Sequence, residues 1–300
     1  MTTNEYLQQV LQDQNLADNS TELEALQGHR KDVEVLLRSA FPQSSPTIRY
    51  GGSRAKGTLI REAYDLDIIC YFEPDDTNAG DGLEDIYNNV KKALEADYMV
   101  TDRTSALRLK SKAQETMGVD FHIDVVPGRF IDDGSSDCYI HQNGEDKCRL
   151  KTNLDVHIGH IKDSGVIPAI RLLKLWKSRK AIDVRQFAFE LMIIKLLEDK
   201  KNKPLSEQLE HVWTAIASRE TPPAVEDPAN PYGNDLSELL NDGVWSWLSI
   251  TSKTTLETIK NHGWESVFGS VKAPDLASKQ ASVSRTASSI NYPTKPWCAR

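Results

Sequence analysis

One stretch of the chain alternates between apolar and acidic positions, as a β-strand with one buried face does. In residues 66–72 the apolar side chains at every second position predict a buried face, and Asp67 falls on the opposite face together with Asp65. Unpaired carboxylates are costly inside an otherwise apolar strand. Two carboxylates on one face suit a hard cation such as magnesium, so we expect Asp65 and Asp67 to share one.

The stretch before this strand predicts a phosphate-binding turn. Residues 47–50 predict a strand, and Gly51-Gly52-Ser53 after it predicts a turn that leads into a short helix. Glycines allow the backbone to approach a phosphate closely, and the first amides of a helix are available to an anion. A phosphate cradle followed by a carboxylate pair is the minimum equipment for binding a nucleoside triphosphate.

A second alternating strand, residues 119–126, carries further acids. Its apolar positions predict a core-facing side, Asp120, His122 and Asp124 fall on the other side, and Pro127 is expected to end the strand. Two divalent ions about 3.5–4 Å apart repel unless several anions surround them. This strand is therefore expected to supply a third carboxylate, with Asp120 and Asp124 as the candidates.

The other patterns predict helices and one hairpin. Two helices are expected within residues 1–41, the second with a capping box from Thr21 to Glu24. Asn143-Gly144 predicts a two-residue hairpin turn, which would place Cys138 opposite Arg149 and argues against a disulfide from Cys138 to Cys148. Further elements are predicted at 83–96 (helix), 105–110 (strand), 167–180 (helix) and 186–197 (buried helix).

Two features of the second half carry candidate chemistry. Arg171, Lys174 and Lys177 recur at three-residue spacing and predict a cationic helix face, either a solvated face or one wall of a phosphate cleft. His157 and His160 could bind a metal from one helix face, although without a third ligand nearby a surface or packing role is favoured.

The bulk composition excludes several classes of protein. The chain has 300 residues, 36 basic and 44 acidic side chains, and a formal charge of −8. A broad nucleic-acid-binding surface shows a basic excess, so none is expected. No apolar run approaches the roughly 18 residues of a membrane helix, and the N-terminus lacks the basic and apolar regions of a signal peptide. Four cysteines without a Cys-x-x-Cys motif favour the reducing cytoplasm.

These motifs carry a resemblance to a known family. The spacing from Gly52-Ser53 to the Asp-x-Asp pair resembles that of polymerase-beta-type nucleotidyltransferases. The segments 171–176, 187–191 and 227–235 then follow in the order found in oligoadenylate synthases and their bacterial relatives, the cGAS-like CD-NTases. CD-NTases make cyclic oligonucleotide signals in anti-phage CBASS defence. The resemblance spans about residues 45–240.

The resemblance implies a metal site. The family's third acid lies in the pattern apolar-Asp-apolar-apolar-Pro, which residues 123–127 match, so Asp124 is implied as the third ligand, with Asp120 as the substitute. Asp65, Asp67 and Asp124 would bind Mg2+, with Mn2+ as the alternative ion.

The resemblance also implies nucleotide-binding residues. Gly52 and Ser53 would hold the triphosphate, and Lys174 would contact phosphate. The family often has a serine beside an aromatic residue on the following helix, and here Gln186 and Phe187 occupy those positions. The glutamine departs from the pattern, which leaves its phosphate contact open. Phe187 would stack on a base or lie in the core.

The implied protein is a two-lobed α/β (α+β) enzyme. Residues 1–160 would form the nucleotidyltransferase lobe with the sheet, and residues 161–300 a helical lobe with a Ser/Ala-rich C-terminal tail. Its substrates would be ribonucleoside triphosphates, ATP foremost, joined into a cyclic di- or trinucleotide. The alternatives are transfer of a nucleotide to an RNA, protein or small-molecule acceptor, and a catalytically inactive nucleotide-binding module. An activating or conjugating CBASS protein is the implied partner.

Overall fold

The computed structural model describes residues 1–16, 20–63, 66–112, 123–144 and 148–271. The helices are α1 (Thr3–Asp13), α2 (Thr21–Ala40), α3 (Gly52–Lys56), α4 (Leu83–Leu94), α5 (Leu154–Lys162), α6 (Ile167–Arg179), α7 (Gln186–Leu196), α8 (Leu205–Ser218), α9 (Asp242–His262) and α10 (Glu265–Phe268). The strands are β1 (Thr47–Tyr50), β2 (Leu66–Phe72), β3 (Tyr98–Asp102), β4 (Leu107–Ser111), β5 (Ile123–Phe130), β6 (Asp137–His141) and β7 (Arg149–Asn153). Asp65, Asp120, His122 and the predicted C-terminal tail lie outside the described residues.

The described strands form one mixed sheet. Its order is β1-β2-β5-β4-β3, and β6 pairs with β5 and β7 with β6. Strands β2 and β5 are parallel, whereas the other pairs are antiparallel. The predicted α/β (α+β) class is confirmed. The two strands that carry the predicted acids are direct neighbours.

Strand β2 is buried on both faces. Leu66, Ile68, Cys70 and Phe72 belong to the main core beside residues of α2 and α4, as the alternation predicts. On the other face, residues 69 and 71 pack in a smaller cluster with β6. A strand covered on both sides suits the centre of a sheet. Asp67 has the same parity as residues 69 and 71 and so lies on the face with the smaller cluster.

Strand β5 continues beyond the residue at which it was expected to end. It passes through Pro127 and Gly128 to Phe130. On its antiparallel side β5 pairs with β4 at residues 123–125 and with β6 at residues 128–130. Pro127 therefore lies where the neighbouring strand changes, a position at which a missing N–H does not interrupt a continuous ladder.

Two local predictions were wrong: the pairing of residues in the hairpin and the position of a helix cap. His141 pairs with Arg149 and Cys138 with Thr152, so the connection after β6 is longer than the predicted two-residue turn. In addition, the helix α2 is capped one residue earlier than predicted, because the Ser20 side chain accepts the amide of Leu23. Short polar side chains compete closely for such positions, and the sequence does not decide between neighbours.

The chain divides into two units. The sheet unit comprises Asn15–Ile167 and Ala224–Ser237, and the helical unit comprises Met1–Gln14, Pro168–Pro223 and residues 238–271 of the described chain. The single predicted boundary at residue 160 does not account for two segments. Met1–Gln14 belongs to the helical unit, and Ala224–Ser237 belongs to the sheet unit. In the helical unit the Tyr6 hydroxyl donates to the carbonyl of Gly269 (2.6 Å). In the sheet unit Asn230 Nδ2 donates to the carbonyl of Lys151 (3.3 Å).

Aromatic residues form the centre of the helical unit. The ring of Trp213 lies 5.8 Å from that of Trp176 and 5.8 Å from that of Trp264, measured between centroids. Trp264 in turn stacks with Phe268 at 6.4 Å. The buried Trp176 Nε1 donates to Thr255 Oγ1 (2.9 Å). These contacts pack Trp264 and Phe268 against Trp213 of α8.

The cysteines of the described chain are free thiols. Cys70 and Cys138 are buried and Cys148 is exposed, so the expectation that Cys138 and Cys148 are not bonded is confirmed. Burial raises the pKa of Cys70 and of Cys138 to about 12, which keeps both protonated near neutral pH. Among the described helices, none has the length and apolar character needed to cross a membrane.

Candidate functional site

A row of charged side chains crosses the centre of the sheet. Asp67 on β2 is the register partner of Asp124 on β5, and Asp124 is the register partner of Arg108 on β4. Residues in register point to the same face of a sheet, and neighbouring strands lie about 4.8 Å apart. We refer to Asp67, Asp124 and Arg108 as the charged row. Two of the three predicted metal ligands are thus brought together by the parallel pairing.

The glycine turn makes room for one member of this row. A Cβ atom on Gly52 would lie 1.7 Å from Asp67 Oδ2 and 2.7 Å from Asp67 Cγ, so the carboxylate fills the space that a side chain would need. Gly52 also has φ = +66°, a conformation that favours glycine. The amide of Gly51 donates to the carbonyl of Asp67 (3.1 Å). The turn and the acidic strand therefore form one site.

Replacing Gly52 by alanine is expected to displace the Asp67 carboxylate. We expect Gly52→Ala to weaken Mn2+ binding and nucleotide turnover by at least about tenfold, because even residues that only support metal ligands matter to this extent. Gly57→Ala is the matched control: Gly57 also has positive φ (+78°), but its Cβ would meet only Ile167 Cδ1 at 3.6 Å. Titration of Mn2+ and thermal melts of both variants test this, and equal metal affinity in the two would contradict it.

The Asp124 carboxylate is held by Arg108. Arg108 Nε donates to Asp124 Oδ1 (2.8 Å), and a terminal nitrogen of the same guanidinium donates to Oδ2 (2.6 Å). The side chains are only 14% and 17% exposed, so water screens this pair weakly. Sequence reasoning missed Arg108. The available signal was a cation between the core residues Leu107 and Leu109, the same alternation that identified the acids.

The oxygen atoms of the charged row suit a hard divalent cation. The Asp67 and Asp124 carboxylates lie on one face of adjacent strands, and the glycine turn leaves space for the first of them. Magnesium is bound in proteins by one or two carboxylates together with substrate phosphates. No group of three or more His, Cys, Asp or Glu side chains with metal spacing occurs within the described residues. Asp65, the third predicted ligand, lies outside them.

The remaining turn residues are buried. Ser53 and Lys56 of α3 are 7% and 8% exposed, and Thr58 after the helix is fully buried. The carbonyl of Ser53 accepts the amide of Thr58 (2.8 Å), which closes the turn. Ser53 therefore lies on a backbone that is fixed at both ends, by Asp67 before it and by Thr58 after it.

The other predicted nucleotide-binding residues belong to the helical unit. On α7, Gln186 Nε2 donates to Oε1 of the fully buried Glu190 (3.2 Å). This internal bond gives a structural role to a side chain that departs from the family pattern. Phe189 is completely buried, whereas Phe187 is only partly buried. Phe189 is therefore a core aromatic residue, whereas Phe187 lies between core and surface in exposure.

The predicted cationic stripe of α6 is not a solvated face. Lys174 and Lys177 are only 6% and 8% exposed. The Lys177 ammonium group donates to the carbonyl of Val184 (2.9 Å) and lies 5.9 Å from the centre of the Phe189 ring. Buried ammonium groups require such partners, because loss of hydration is otherwise costly. Lys174 and Lys177 are thus buried side chains of α6, whereas Arg171 is only partly buried.

His157 has a structural role. Its Nε2 lies 2.6 Å from Asp227 Oδ1, and Asp227 also accepts from Asn234 Nδ2 (2.7 Å) and the amide of Ala229 (2.9 Å). Burial raises the pKa of Asp227, but the bonds from His157, Asn234 and Ala229 outweigh burial and hold the pKa below its ordinary value. His157 therefore anchors residues 227–234 rather than forming a His-x-x-His metal site.

Comparison with solved structures identifies the fold. CdnC of Escherichia coli MS115-1, solved in a complex with HORMA-deltaN, has a TM-score of 0.65 and 18% identity, covering 90% of this chain and 98% of that one. The cyclic AMP-GMP synthase DncV of Vibrio cholerae, a prokaryotic cGAS homologue, has a TM-score of 0.69 and 14% identity, covering 90% and 97%. The CD-NTase CdnG of Bradyrhizobium diazoefficiens, in complex with GTP, has a TM-score of 0.67 and 14% identity, covering 89% and 96%.

These neighbours share the polymerase-beta-like nucleotidyltransferase fold over about nine tenths of this chain. No protein-family model matches the chain, and no curated protein matches it. At 14–18% identity the similarity establishes the fold. The resemblance to CD-NTases inferred from the sequence is confirmed at that level.

Proposed function

We propose that this chain, which has the fold of CD-NTases, is a nucleotidyltransferase that joins ribonucleoside triphosphates into a cyclic di- or trinucleotide. The observation that carries the proposal is the pairing of Asp67 with Asp124 in register on β2 and β5 beside the glycine-serine turn. The proposed role is synthesis of a second messenger for anti-phage defence.

The carboxylates have distinct proposed roles. Asp65, Asp67 and Asp124 would bind Mg2+ (or Mn2+), which would supply charge neutralisation at the triphosphate and the leaving pyrophosphate. Asp67 would act by holding the cation next to the triphosphate, because a carboxylate alone repels a phosphate. An oxygen of Asp124 would accept the proton of the attacking 3′- or 2′-hydroxyl group. Attack on the α-phosphate of a second nucleotide releases pyrophosphate, and a second attack closes the ring.

Nucleotide contacts are proposed for residues of the glycine turn, of α6 and of α7. Gly52 and Ser53 would hold the triphosphate through the backbone of the turn, and Lys174 would contact a phosphate. Phe187, which is only partly buried, would stack on a base. Gln186 is proposed to hydrogen-bond Glu190 in the resting protein and to contact a nucleotide only when this hydrogen bond breaks.

The substrates proposed here follow from those of the structural neighbours. E. coli CdnC has been solved with ATP, CdnG with GTP, and DncV with the linear intermediate pppA(3′,5′)pG. Another neighbour, CdnE of Rhodothermus marinus, was solved with Apcpp and Upnpp, so these structures do not single out one pair of bases. ATP is proposed as the first substrate, because adenosine nucleotides occur with CdnC, DncV and this CdnE. CdnC is also known in a complex with HORMA-deltaN, and this supports a protein partner of the CBASS type. The free thiols of the described cysteines favour a cytoplasmic enzyme.

The second candidate is transfer of a nucleotide to an RNA, protein or small-molecule acceptor. The same carboxylates would serve that reaction. The net charge of −8 disfavours an RNA end as acceptor, since nucleic-acid surfaces show a basic excess.

Release of pyrophosphate distinguishes the candidates. Purified protein would be incubated with all four ribonucleoside triphosphates and Mg2+, without an acceptor and then with added RNA, protein or lysate metabolites. We expect release without an acceptor and the same rate with one. Release only with an added component, together with label from the α-phosphate appearing in that component, would replace cyclisation with nucleotide transfer.

A further inference from the structure

Both oxygen atoms of Asp124 are engaged by one guanidinium group. Arg108 Nε bonds Oδ1 and a terminal nitrogen of Arg108 bonds Oδ2, at 2.8 Å and 2.6 Å. This two-pronged arrangement is the strongest form of the arginine–carboxylate pair and fixes the plane of the carboxylate. Asp124 is thus already paired with a cation inside the charged row.

The position of Arg108 places it in competition with any cation at the row. Arg108 and Asp67 are the register partners of the strands on either side of Asp124, so they flank the same carboxylate from opposite directions. A divalent ion shared by Asp67 and Asp124 would lie within one or two strand spacings of the guanidinium. Like charges at such distances repel substantially when the surroundings are only 14–17% exposed.

Arg108 also offsets a repulsion within the row. Asp67 and Asp124 are two anions on adjacent strands of the same sheet face. A fixed positive charge next to one of them reduces their mutual repulsion and so stabilises the fold. The same charge must then weaken the attraction of the row for metal.

We propose that Arg108 is a resident counter-ion that competes with the divalent cation for Asp124. For a divalent cation to bind, Arg108 must then share or release the Asp124 carboxylate. This requirement weakens metal binding when no nucleotide is bound. Arg108 acts through Asp124 and is therefore a positioning residue. The proposal rests on the proposed function, because it assumes that Asp67 and Asp124 hold the metal.

The test measures metal affinity directly. Binding of Mn2+ to the full chain, without nucleotide, would be followed by the electron paramagnetic resonance signal of free Mn2+. We expect Arg108→Gln to bind Mn2+ about three- to tenfold more tightly than wild type, because one nearby positive charge is lost. Unchanged or weaker binding in folded Arg108→Gln protein would overturn the proposal, since a purely structural role predicts looser binding.

Two further variants keep the test decisive. Arg108→Lys keeps the positive charge but cannot make the two-pronged hydrogen bond, so at least one oxygen of Asp124 is released. We expect a smaller increase in Mn2+ affinity than for Arg108→Gln. Arg108→Lys replaces Arg108→Gln in the test if the latter does not fold. Lys91→Gln is the control, because Lys91 pairs with Asp102 (2.6 Å), whose register partner Leu107 faces the main core on the side of the sheet opposite the charged row. It is expected to change Mn2+ affinity by less than about twofold, and an equal tightening there would reduce the effect to overall charge and overturn the proposal.

Failure of the two proposals can be told apart. If wild type binds Mn2+ and Asp67→Asn does not, the proposed metal site is supported. The Arg108 variants then test only the proposal that Arg108 competes with the metal. If Asp67→Asn binds Mn2+ as well as wild type, the metal site itself is wrong and the proposed function fails with it.

Discussion

Replacing Asp67 by asparagine is expected to lower the rate of pyrophosphate release by more than about 100-fold and to leave the fold intact. Residues that merely support metal ligands already cost about 10- to 100-fold when they are removed. Asp67 is placed by both strand pairing and the glycine turn to be a ligand itself. Asparagine has nearly the same shape and lacks the negative charge, so the change in the free energy of unfolding should remain within about 1 kcal/mol.

The control for this variant is Asp102→Asn. Asp102 is also a strand carboxylate of the sheet unit, and it pairs with Lys91 (2.6 Å) away from the charged row. It is expected to retain wild-type turnover. Comparable losses in both variants, or full activity in Asp67→Asn, would show that the charged row does not carry the chemistry.

Replacing Asp227 by alanine is expected to have the largest effect on stability. The change leaves His157, Asn234 and the amide of Ala229 without their shared acceptor in a nearly dry site, where the Asp227 side chain is 2% exposed. Removing one partner of a buried pair costs about 3–5 kcal/mol. We therefore expect the midpoint of thermal unfolding to fall by roughly 10 °C. Circular dichroism during heating measures the change in midpoint, and urea unfolding measures the change in the free energy of unfolding.

The neighbouring Asp235 supplies a control for the Asp227 variant. Asp235 accepts the amide of Ser237 (2.9 Å) at an exposed position, so Asp235→Ala should cost only about 1 kcal/mol. Equal destabilisation by the two variants would mean that the loop, and not the buried carboxylate, determines stability.

The contribution of Asp227 should also depend on pH. The pKa of Asp227 is lowered in the folded protein, so its contribution is fully present above the unfolded pKa of about 3.9 and is lost as the pH falls through the lower folded value. The stability difference between wild type and Asp227→Ala should therefore be constant from pH 6 to pH 5 and shrink below about pH 4. A difference that grows on acidification would contradict this sign.

The sequence predicted the elements whose pattern is local. The face of β2 predicted to lie in the main core is the observed one, because a one-residue slip would bury Asp67 there. The glycine turn and the short helix after β1 were likewise predictable from turn chemistry. Helices α6 and α7 followed from dense apolar spacing.

The features that the sequence did not predict depend on contacts between distant segments. The bond from Arg108 to Asp124 requires the β4–β5 register, and the pair from His157 to Asp227 joins residues 70 positions apart. Pro127 lies within β5 at the point where the strand changes its antiparallel neighbour, which depends on the same long-range pairing. The burial of Lys174 and Lys177 likewise depends on what α6 packs against, which helical spacing does not specify.

The most direct test of the central claim is the product of an acceptor-free reaction. Wild-type protein and the Asp67→Asn variant would be incubated with labelled ribonucleoside triphosphates and Mg2+, treated with phosphatase and analysed by mass spectrometry. The account predicts a phosphatase-resistant product with the mass of a cyclic di- or trinucleotide from wild type and none from Asp67→Asn. The same product from both proteins, or phosphatase-sensitive linear products alone from wild type, would contradict it.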